Sequence, residues 1–241
     1  MRAVAGRFAG AGSGAVLADV RHRLRTAGLR AVPLTLTACA GILGLQLLQH
    51  WPHTRGWVDR LGGVYATLPW WQELLRTPLS VFVPDPELPV WGLALQVVVV
   101  FGLAETTLRT RRTVVVALLA TVAGSCFARY SLWIGPGGFL GLPGHELRLR
   151  DTGPSAAVVA LGVYTACRYR MGWTAGAIAL AMVVEVLCLP NLAGFEHLAG
   201  VAAVLALTAA ESARAAGRPR PAARSGTAAD PSAPVPGGPG R

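Results

Sequence analysis

Two side chains in this sequence are of the types that could act together on a carbonyl group. Ser155 follows Gly153 and Pro154 at the start of one apolar block, and His197 stands at the start of a later one. An imidazole that takes the hydroxyl proton turns serine into a nucleophile. The free N–H groups of a helix N-terminus can stabilise the oxyanion that then forms. The pair predicts nucleophilic catalysis, with Ser155 as nucleophile and His197 as general base.

Each of the two residues also has a simpler interpretation. A serine near a helix start is commonly a cap that accepts a hydrogen bond from a backbone N–H. A histidine at a membrane interface is commonly only tolerated there. The choice depends on whether the elements that carry Ser155 and His197 meet at one end of the fold.

The composition is that of a helical membrane protein. Of the 241 residues, 53% are apolar and only 14% are charged, whereas about a quarter are charged in a typical soluble domain. The net charge of +10 is concentrated at the ends of apolar blocks, which favours the lipid bilayer as a partner and not nucleic acid. The four cysteines and five histidines form no set with metal-ligand spacing, so no metal and no cofactor is predicted.

Six apolar blocks predict six membrane-spanning helices. They cover residues 31–49, 88–108, 113–133, 154–167, 173–189 and 197–213. A basic arm (1–30) precedes this membrane domain (31–213), and a polar tail (214–241) that cannot bury a core is predicted to be disordered. In the first outer connection, helical spacing predicts an amphipathic helix in the interface plane through Trp57, Leu61, Val64, Tyr65 and Leu68. The predicted fold class is an all-α membrane protein with an interfacial first outer connection.

The placement of arginine orients the six predicted spans. All 22 basic residues are arginine, and six crossings put sixteen of them, with both termini, on one side and six on the other. The arginine-rich side is expected to be the cytoplasmic side of the cell inner membrane. Ser155 and His197 then both enter from outside, each in the first turn of its helix. We expect them at similar depth on parallel helices, within hydrogen-bond reach of each other.

The motifs around these two residues resemble those of the rhomboid family, which are six-span intramembrane serine proteases. In that family the fourth span opens with G-x-S-G and the sixth carries H-x-x-G-x-x-x-G. This chain reads GPSA and HLAGVAAV at the two places. Gly200 therefore matches the family, whereas Ala156 and Val204 replace glycines that let the two helices approach closely.

The resemblance extends over about residues 31–213. Gly162 in the fourth span is similar to a family packing glycine, and Glu105 in "FGLAETTL" matches the end of the second span. The resemblance implies a Ser155–His197 dyad that cleaves transmembrane segments of other membrane proteins. Backbone N–H groups around the serine, at Gly153 and Ala156, would contribute to the oxyanion site.

The second span departs from the family pattern. Rhomboid proteases carry H-x-x-x-N there, and its side chains help to stabilise the oxyanion. The equivalent positions here are Pro89 and Leu93, neither of which has a side-chain donor. Gln96, about one helical turn further on, is the candidate replacement. The predicted enzyme is therefore slow.

Three functions are considered on these observations. The first is a rhomboid-like intramembrane serine protease, and the second is a rhomboid-like protein that binds client spans without cutting them. A small-solute permease is disfavoured, because no inverted repeat or pair of broken helices is recognisable. Glu185 lies inside the fifth apolar block, where a carboxylate needs a partner. Three roles are open for Glu185: it supports His197, it forms a purely structural hydrogen bond, or it is neutral and protonated.

Overall fold

The computed structural model describes residues 12–65, 67–85, 89–144 and 153–217. Within these ranges the fold consists of nine α-helices and a short 3-10 helix, Gly28–Ala31. The α-helices are α1 Ser13–Ala27, α2 Pro33–His50, α3 Pro52–Gly62, α4 Trp70–Ser80, α5 Val90–Leu108, α6 Thr110–Ile134, α7 Ser155–Arg168, α8 Gly172–Cys188 and α9 Leu192–Ala216. The predicted all-α class is confirmed for this part of the chain.

Three of the described helices, α5, α6 and α9, are long and apolar enough to cross a membrane. The pair α1–α2, bent by 52°, counts as a fourth if it forms one broken span. α7 and α8 are apolar but shorter, with 14 and 17 residues. The chain is therefore a helical membrane protein with three or four candidate spans by length and composition. Each of the six predicted apolar blocks forms one helix.

The sixth block begins earlier than the sequence pattern predicts. α9 starts at Leu192 because Asn191 Oδ1 accepts a hydrogen bond from Gly194 N at 2.8 Å and caps the helix. Most of the predicted turn is therefore helical. His197 is the sixth residue of α9, about 7.5 Å along its axis, and lies beyond the first turn in which it was expected.

The first outer connection contains two helices, α3 and α4, where one was predicted. α3 includes Trp57 but ends at Gly62, so its predicted continuation through Val64 is wrong. A Cβ at Gly62 would lie 2.5 Å from Val83 Cγ2, and Val64 is buried. The chain turns inward here because Gly62 and Val64 pack inside the protein. Both Trp57 and Trp70 are exposed, as expected of side chains at a bilayer surface.

α7 is the central helix of the fold. Eight of its 14 residues are buried, and it packs against α5, α6, α8 and α9. Ala157, Ala160 and Leu161 are fully buried in this core. A helix enclosed by other helices does not have to match the bilayer thickness by itself. This position accounts for the short length of α7.

Glu105 joins the end of α5 to the start of α2. Its side chain is fully buried, and Oε2 accepts hydrogen bonds from Thr35 N (2.8 Å) and Thr35 Oγ1 (2.9 Å). Oε1 accepts from Leu34 N at 2.9 Å and from Thr110 Oγ1 at 2.6 Å. The first N–H groups of a helix have no partner in the helix itself, and a negative charge there is favourable. Glu105 therefore caps α2 from another helix.

Part of the predicted basic arm packs on the membrane domain. Val16 of α1 is buried beside Tyr169, just after α7. Tyr169 Oη donates to Asp19 Oδ2 at 2.7 Å. Burial, together with the Asp19 carboxylate, raises the pKa of Tyr169, so its hydroxyl stays protonated and available as a donor. The tail beyond residue 217 and the arm before residue 12 lie outside the described residues.

Candidate functional site

The helices that carry Ser155 and His197 run side by side in the same direction. Near their starts, a Cβ at Gly200 of α9 would lie 3.6 Å from Ala156 O of α7. Near their ends, Tyr164 Oη of α7 donates to Glu211 Oε2 of α9 at 3.0 Å. Ser155 adjoins Ala156, and His197 precedes Gly200 by three residues. The two residues therefore lie toward the same end of this helix pair.

α6 packs against the same pair in the opposite direction. Arg112, near its start, forms an ion pair with Glu211 near the end of α9. Further along, a Cβ at Gly200 would lie 3.4 Å from Ala120 Cβ, and one at Gly124 would lie 3.1 Å from Glu196 Cβ. Small residues on α6 thus let α9 approach closely at the end where Ser155 and His197 lie.

Ser155 is the first residue of α7, after Pro154 at the N-cap. No side-chain hydrogen bond caps this helix, so the structure does not show the capping role that the sequence left open. The side chain is half-buried. Pro at this place leaves no backbone N–H to satisfy, and the N–H groups of the first turn have no partner within the helix. The Ser155 hydroxyl and the free N–H groups of the first turn of α7 are therefore close to each other in the chain.

Gly153 has a different role from the one predicted. Its φ of +108° lies in a region that favours glycine, and its N–H donates to Ser80 O at the end of α4, at 2.9 Å. That N–H is therefore already used and does not serve as an oxyanion donor. The bond ties the start of α7 to the first outer connection. Of the predicted backbone donors, Ala156 N remains in the first turn of the helix.

The first outer connection is also anchored to α6. Glu73 of α4 is buried and forms an ion pair with Arg129, and Arg129 Nη2 also donates to Leu68 O at 2.5 Å. Together with the bond between Gly153 and Ser80, these contacts hold α4 beside the Ser155 end of the bundle. The sequence pattern contained no signal for this arrangement.

His197 is largely enclosed, with 12% of its side chain exposed. Within the described part of the chain, neither ring nitrogen has a hydrogen-bond partner. The direct hydrogen bond that we expected between Ser155 Oγ and the imidazole is therefore not formed. Catalytic hydrogen bonds are often long in enzymes without substrate. A carboxylate lies close to the ring: Oε2 of Glu185 in α8 is 3.8 Å from His197 Nδ1.

Gln96 does not belong to the site. Its side chain is exposed on α5, and the residues Gly92 and Val99 on the same face of the helix are also exposed, whereas the adjacent Val97 is fully buried. The side chain lies on the outer surface of the bundle, so it cannot donate into the interface of α7 and α9. This position does not support the predicted role of Gln96 as the replacement for the missing oxyanion donor.

The predicted packing glycines contact different neighbours. Gly200 lies between α6 and α7, whereas a Cβ at Gly162 would lie 3.4 Å from Ile178 Cδ1 of α8. Gly162 therefore faces α8 and not α9. Both positions bring helices together, but only Gly200 does so at the end where Ser155 and His197 lie.

A polar cluster at the opposite end of the bundle was not predicted. Arg112 Nε donates to Tyr164 Oη at 2.6 Å, and Tyr164 and Arg112 both contact the Glu211 carboxylate. Arg168 lies 3.7 Å from the same carboxylate. The cluster joins α6, α7 and α9. In the sequence the charged members Arg112, Arg168 and Glu211 look like ordinary interfacial charges, because each stands near the end of an apolar block.

Neither a family model, nor a curated protein, nor a solved structure matches this chain. Among the described residues, no group of three or more His, Cys, Asp and Glu side chains is placed to hold a metal ion. The functional interpretation therefore depends on the residues themselves and on the way the helices bring them together.

Replacing Gly200 with a large residue should lower the stability of the fold at the junction of α6, α7 and α9. Gly200→Ala is expected to be tolerated, because its Cβ would make contacts of 3.4 Å and 3.6 Å. Gly200→Leu overpacks the junction of α6, α7 and α9, which costs about 1–3 kcal/mol. Thermal unfolding in detergent measures the loss. Gly176→Leu on α8 is the matched control, since nothing lies within 4 Å of its Cβ. Equal melting temperatures for the two leucine variants would contradict this packing.

Proposed function

We propose that this protein is a rhomboid-like intramembrane serine protease that cleaves transmembrane segments of membrane proteins. Ser155 is the nucleophile and His197 the general base. The chain crosses the cell inner membrane six times, with both termini in the cytoplasm. The observation that carries the proposal is the close approach of Gly200 to Ala156, where a Cβ added to Gly200 would lie 3.6 Å from Ala156 O. It brings the Ser155 end of α7 against the His197 region of α9.

Six crossings are supported by the helices themselves. Each of the six apolar blocks is one helix, and α8, with 17 residues, is close to the length of about 20 residues that a crossing needs. α7 is shorter but is enclosed by four other helices. The parallel direction of α7 and α9 requires α8 to run back between them. This alternation is the one that six crossings produce.

The proposed reaction is acyl transfer to a serine followed by hydrolysis. Ser155 Oγ attacks the carbonyl carbon of the scissile peptide bond, and its proton passes to His197. The tetrahedral intermediate collapses, the C–N bond breaks, and His197 gives the proton to the leaving amine. Water then attacks the ester, His197 takes the water proton, and the proton returns to Ser155 Oγ as the acid leaves. No metal or cofactor takes part in these steps.

The oxyanion in this scheme is stabilised by the first-turn N–H groups of α7. A side-chain donor from α5 is missing, since Leu93 cannot donate and Gln96 points outward. Loss of one oxyanion donor costs about 2.7–4 kcal/mol of barrier in soluble serine enzymes. The protease is therefore expected to be slow.

A second candidate function is binding of client spans without cleavage by the same rhomboid-like fold. The observation that favours it is the absent Ser155–His197 hydrogen bond, together with the missing oxyanion side chain. In this case Ser155 is only a small residue at a helix start.

Labelling with a fluorophosphonate separates the two functions, because the probe reacts covalently with an activated serine. The wild-type protein in detergent or liposomes should be labelled, and Ser155→Ala should not. Ser212→Ala is the matched control, because Ser212 is exposed on the opposite end of α9 and its Oγ donates to Thr208 O. Wild-type protein that stays unlabelled while correctly folded would favour the client-binding function.

Cysteine labelling on intact cells tests whether α8 crosses the membrane. With the native cysteines replaced by alanine, Pro190→Cys should react with a membrane-impermeant maleimide, and Arg170→Cys should react only after lysis. Both residues are exposed, at the two ends of α8. Equal labelling of the two variants in intact cells would mean that α8 does not cross. His145, an alternative position in the preceding loop, lies outside the described residues.

A further inference from the structure

The end of α8 packs against the start of α9 and brings a carboxylate to His197. A Cβ at Gly194 would lie 2.8 Å from Val186 Cγ2, so the two helices are in tight contact there. Glu185 adjoins Val186, and its Oε2 lies 3.8 Å from His197 Nδ1. Glu185 stands three residues before the end of α8, or about 4.5 Å from it along the axis. The carboxylate is therefore near the outer interface and not at the bilayer centre.

The surroundings of the two side chains differ. The Glu185 side chain is 34% exposed and the His197 side chain 12%. The carboxylate can thus keep contact with water or lipid headgroups, whereas the imidazole is enclosed. Within the described residues both ring nitrogens lack a hydrogen bond, although buried polar groups normally have one. A movement of Glu185 Oε2 by about 1 Å toward Nδ1 would bring the two atoms, now 3.8 Å apart, within hydrogen-bond distance.

We propose that Glu185 is a positioning residue for His197. Its carboxylate accepts a hydrogen bond from Nδ1–H and so keeps the proton on Nδ1, which leaves Nε2 unprotonated and free to take the proton of Ser155 Oγ. When His197 becomes positively charged during the reaction, the neighbouring negative charge stabilises it. This inference rests on the proposed function and adds a carboxylate as third member to the serine and the histidine.

The alternative is that Glu185 only tethers α8 to α9. Both roles make the residue matter for stability, so loss of activity alone cannot distinguish them. They differ in what happens to the imidazole. A positioning carboxylate selects the tautomer with the proton on Nδ1. A carboxylate that only contributes to the packing of α8 on α9 has no effect on the tautomer of His197.

Nitrogen NMR of the full-length protein labelled with ¹⁵N-histidine reads the tautomer directly. The protein has five histidines, and His197→Gln assigns the His197 signals by their loss. In the wild type we expect a protonated Nδ1 and an unprotonated Nε2. Glu185→Gln, which has the same shape, should abolish this preference, because an amide accepts and donates equally well. Glu185→Asp, which keeps the charge but is shorter, should restore part of it.

The same variants are then labelled with a fluorophosphonate. We expect the rate to fall at least about tenfold in Glu185→Gln, with partial recovery in Glu185→Asp, because the wrong tautomer cannot serve as base. An unchanged His197 spectrum in Glu185→Gln overturns the inference, whatever the labelling does. If Glu185→Gln does not fold, an unchanged spectrum in Glu185→Ala, which removes the carboxylate, has the same consequence.

The two proposals can fail separately. If the wild type is never labelled but the tautomer depends on Glu185, the protease function is lost and with it the positioning role in catalysis, and Glu185 is a structural partner of His197. If the wild type is labelled and Ser155→Ala is not, while Glu185→Gln labels at the wild-type rate, the dyad stands and the role of Glu185 is refuted.

Discussion

Replacing either Ser155 or His197 with alanine is expected to abolish cleavage of a transmembrane substrate. Loss of the serine or the histidine lowers kcat by a factor of about 2 × 10⁶ in a soluble serine protease. The protein proposed here starts from a lower rate, so we expect a measured loss on the order of 10³ or more. The two residues act on one proton, so the double variant should be no slower than either single variant.

Proteoliposomes that contain a panel of single-span model substrates provide the measurement. His53→Ala and Ser212→Ala are the controls, because both side chains are exposed and lie outside the proposed site. They should cleave at the wild-type rate. Residual cleavage of the same substrate by Ser155→Ala would show that the serine is not the nucleophile. If the double variant lost as much activity as the two single variants combined, Ser155 and His197 would act independently.

Removal of the Glu105 carboxylate is expected to destabilise the fold more than other polar substitutions. Glu105→Ala leaves Leu34 N and Thr35 N without the acceptor that they have at 2.9 Å and 2.8 Å. Each unsatisfied buried donor costs about 1–3 kcal/mol. The free energy of unfolding should therefore fall by about 2 kcal/mol or more. Glu105→Gln should also be unstable, because its amide NH₂ cannot accept from these donors.

Reversible unfolding in mixed detergent micelles measures this loss. Thr37→Ala, in the same helix α2, is the matched control, because Thr37 is exposed and its Oγ1 donates only to carbonyl groups of its own helix. It should unfold close to the wild type. If Glu105→Gln were as stable as Thr37→Ala, the prediction would be contradicted. The N–H groups at the start of α2 would then not need a negatively charged acceptor.

Much of the helical framework could be predicted from local patterns. The predicted blocks 88–108 and 173–189 correspond to α5 and α8 within two residues, because a long apolar run is a strong local signal. α9 begins at Leu192, before the predicted block 197–213, although Asn191 is a good N-cap residue that indicates this start. The Pro and Gly in "PNLAGFE" are typical of a turn, but only Pro190 lies outside α9 and its cap.

The candidate site could be predicted only as a set of residue types. Ser155 and His197 stand out in the sequence, and the structure brings α7 and α9 together at Gly200. Helical spacing from Leu93 indicates Gln96, but this spacing does not show which face of α5 is buried. Adjacent helical residues point about 100° apart, so a side chain near the right depth can still face the lipid.

The sequence by itself determined that this is a helical membrane protein and which residues are available for chemistry. These properties depend on runs of neighbouring residues, because hydropathy and the positive-inside rule apply to each segment of the chain separately. Only the tertiary structure decided that Gly153 N is used by Ser80 O, that Gln96 faces outward and that Glu185 lies 3.8 Å from His197. These relations depend on how each helix is rotated and packed against partners that are distant in the chain, which a local pattern does not contain.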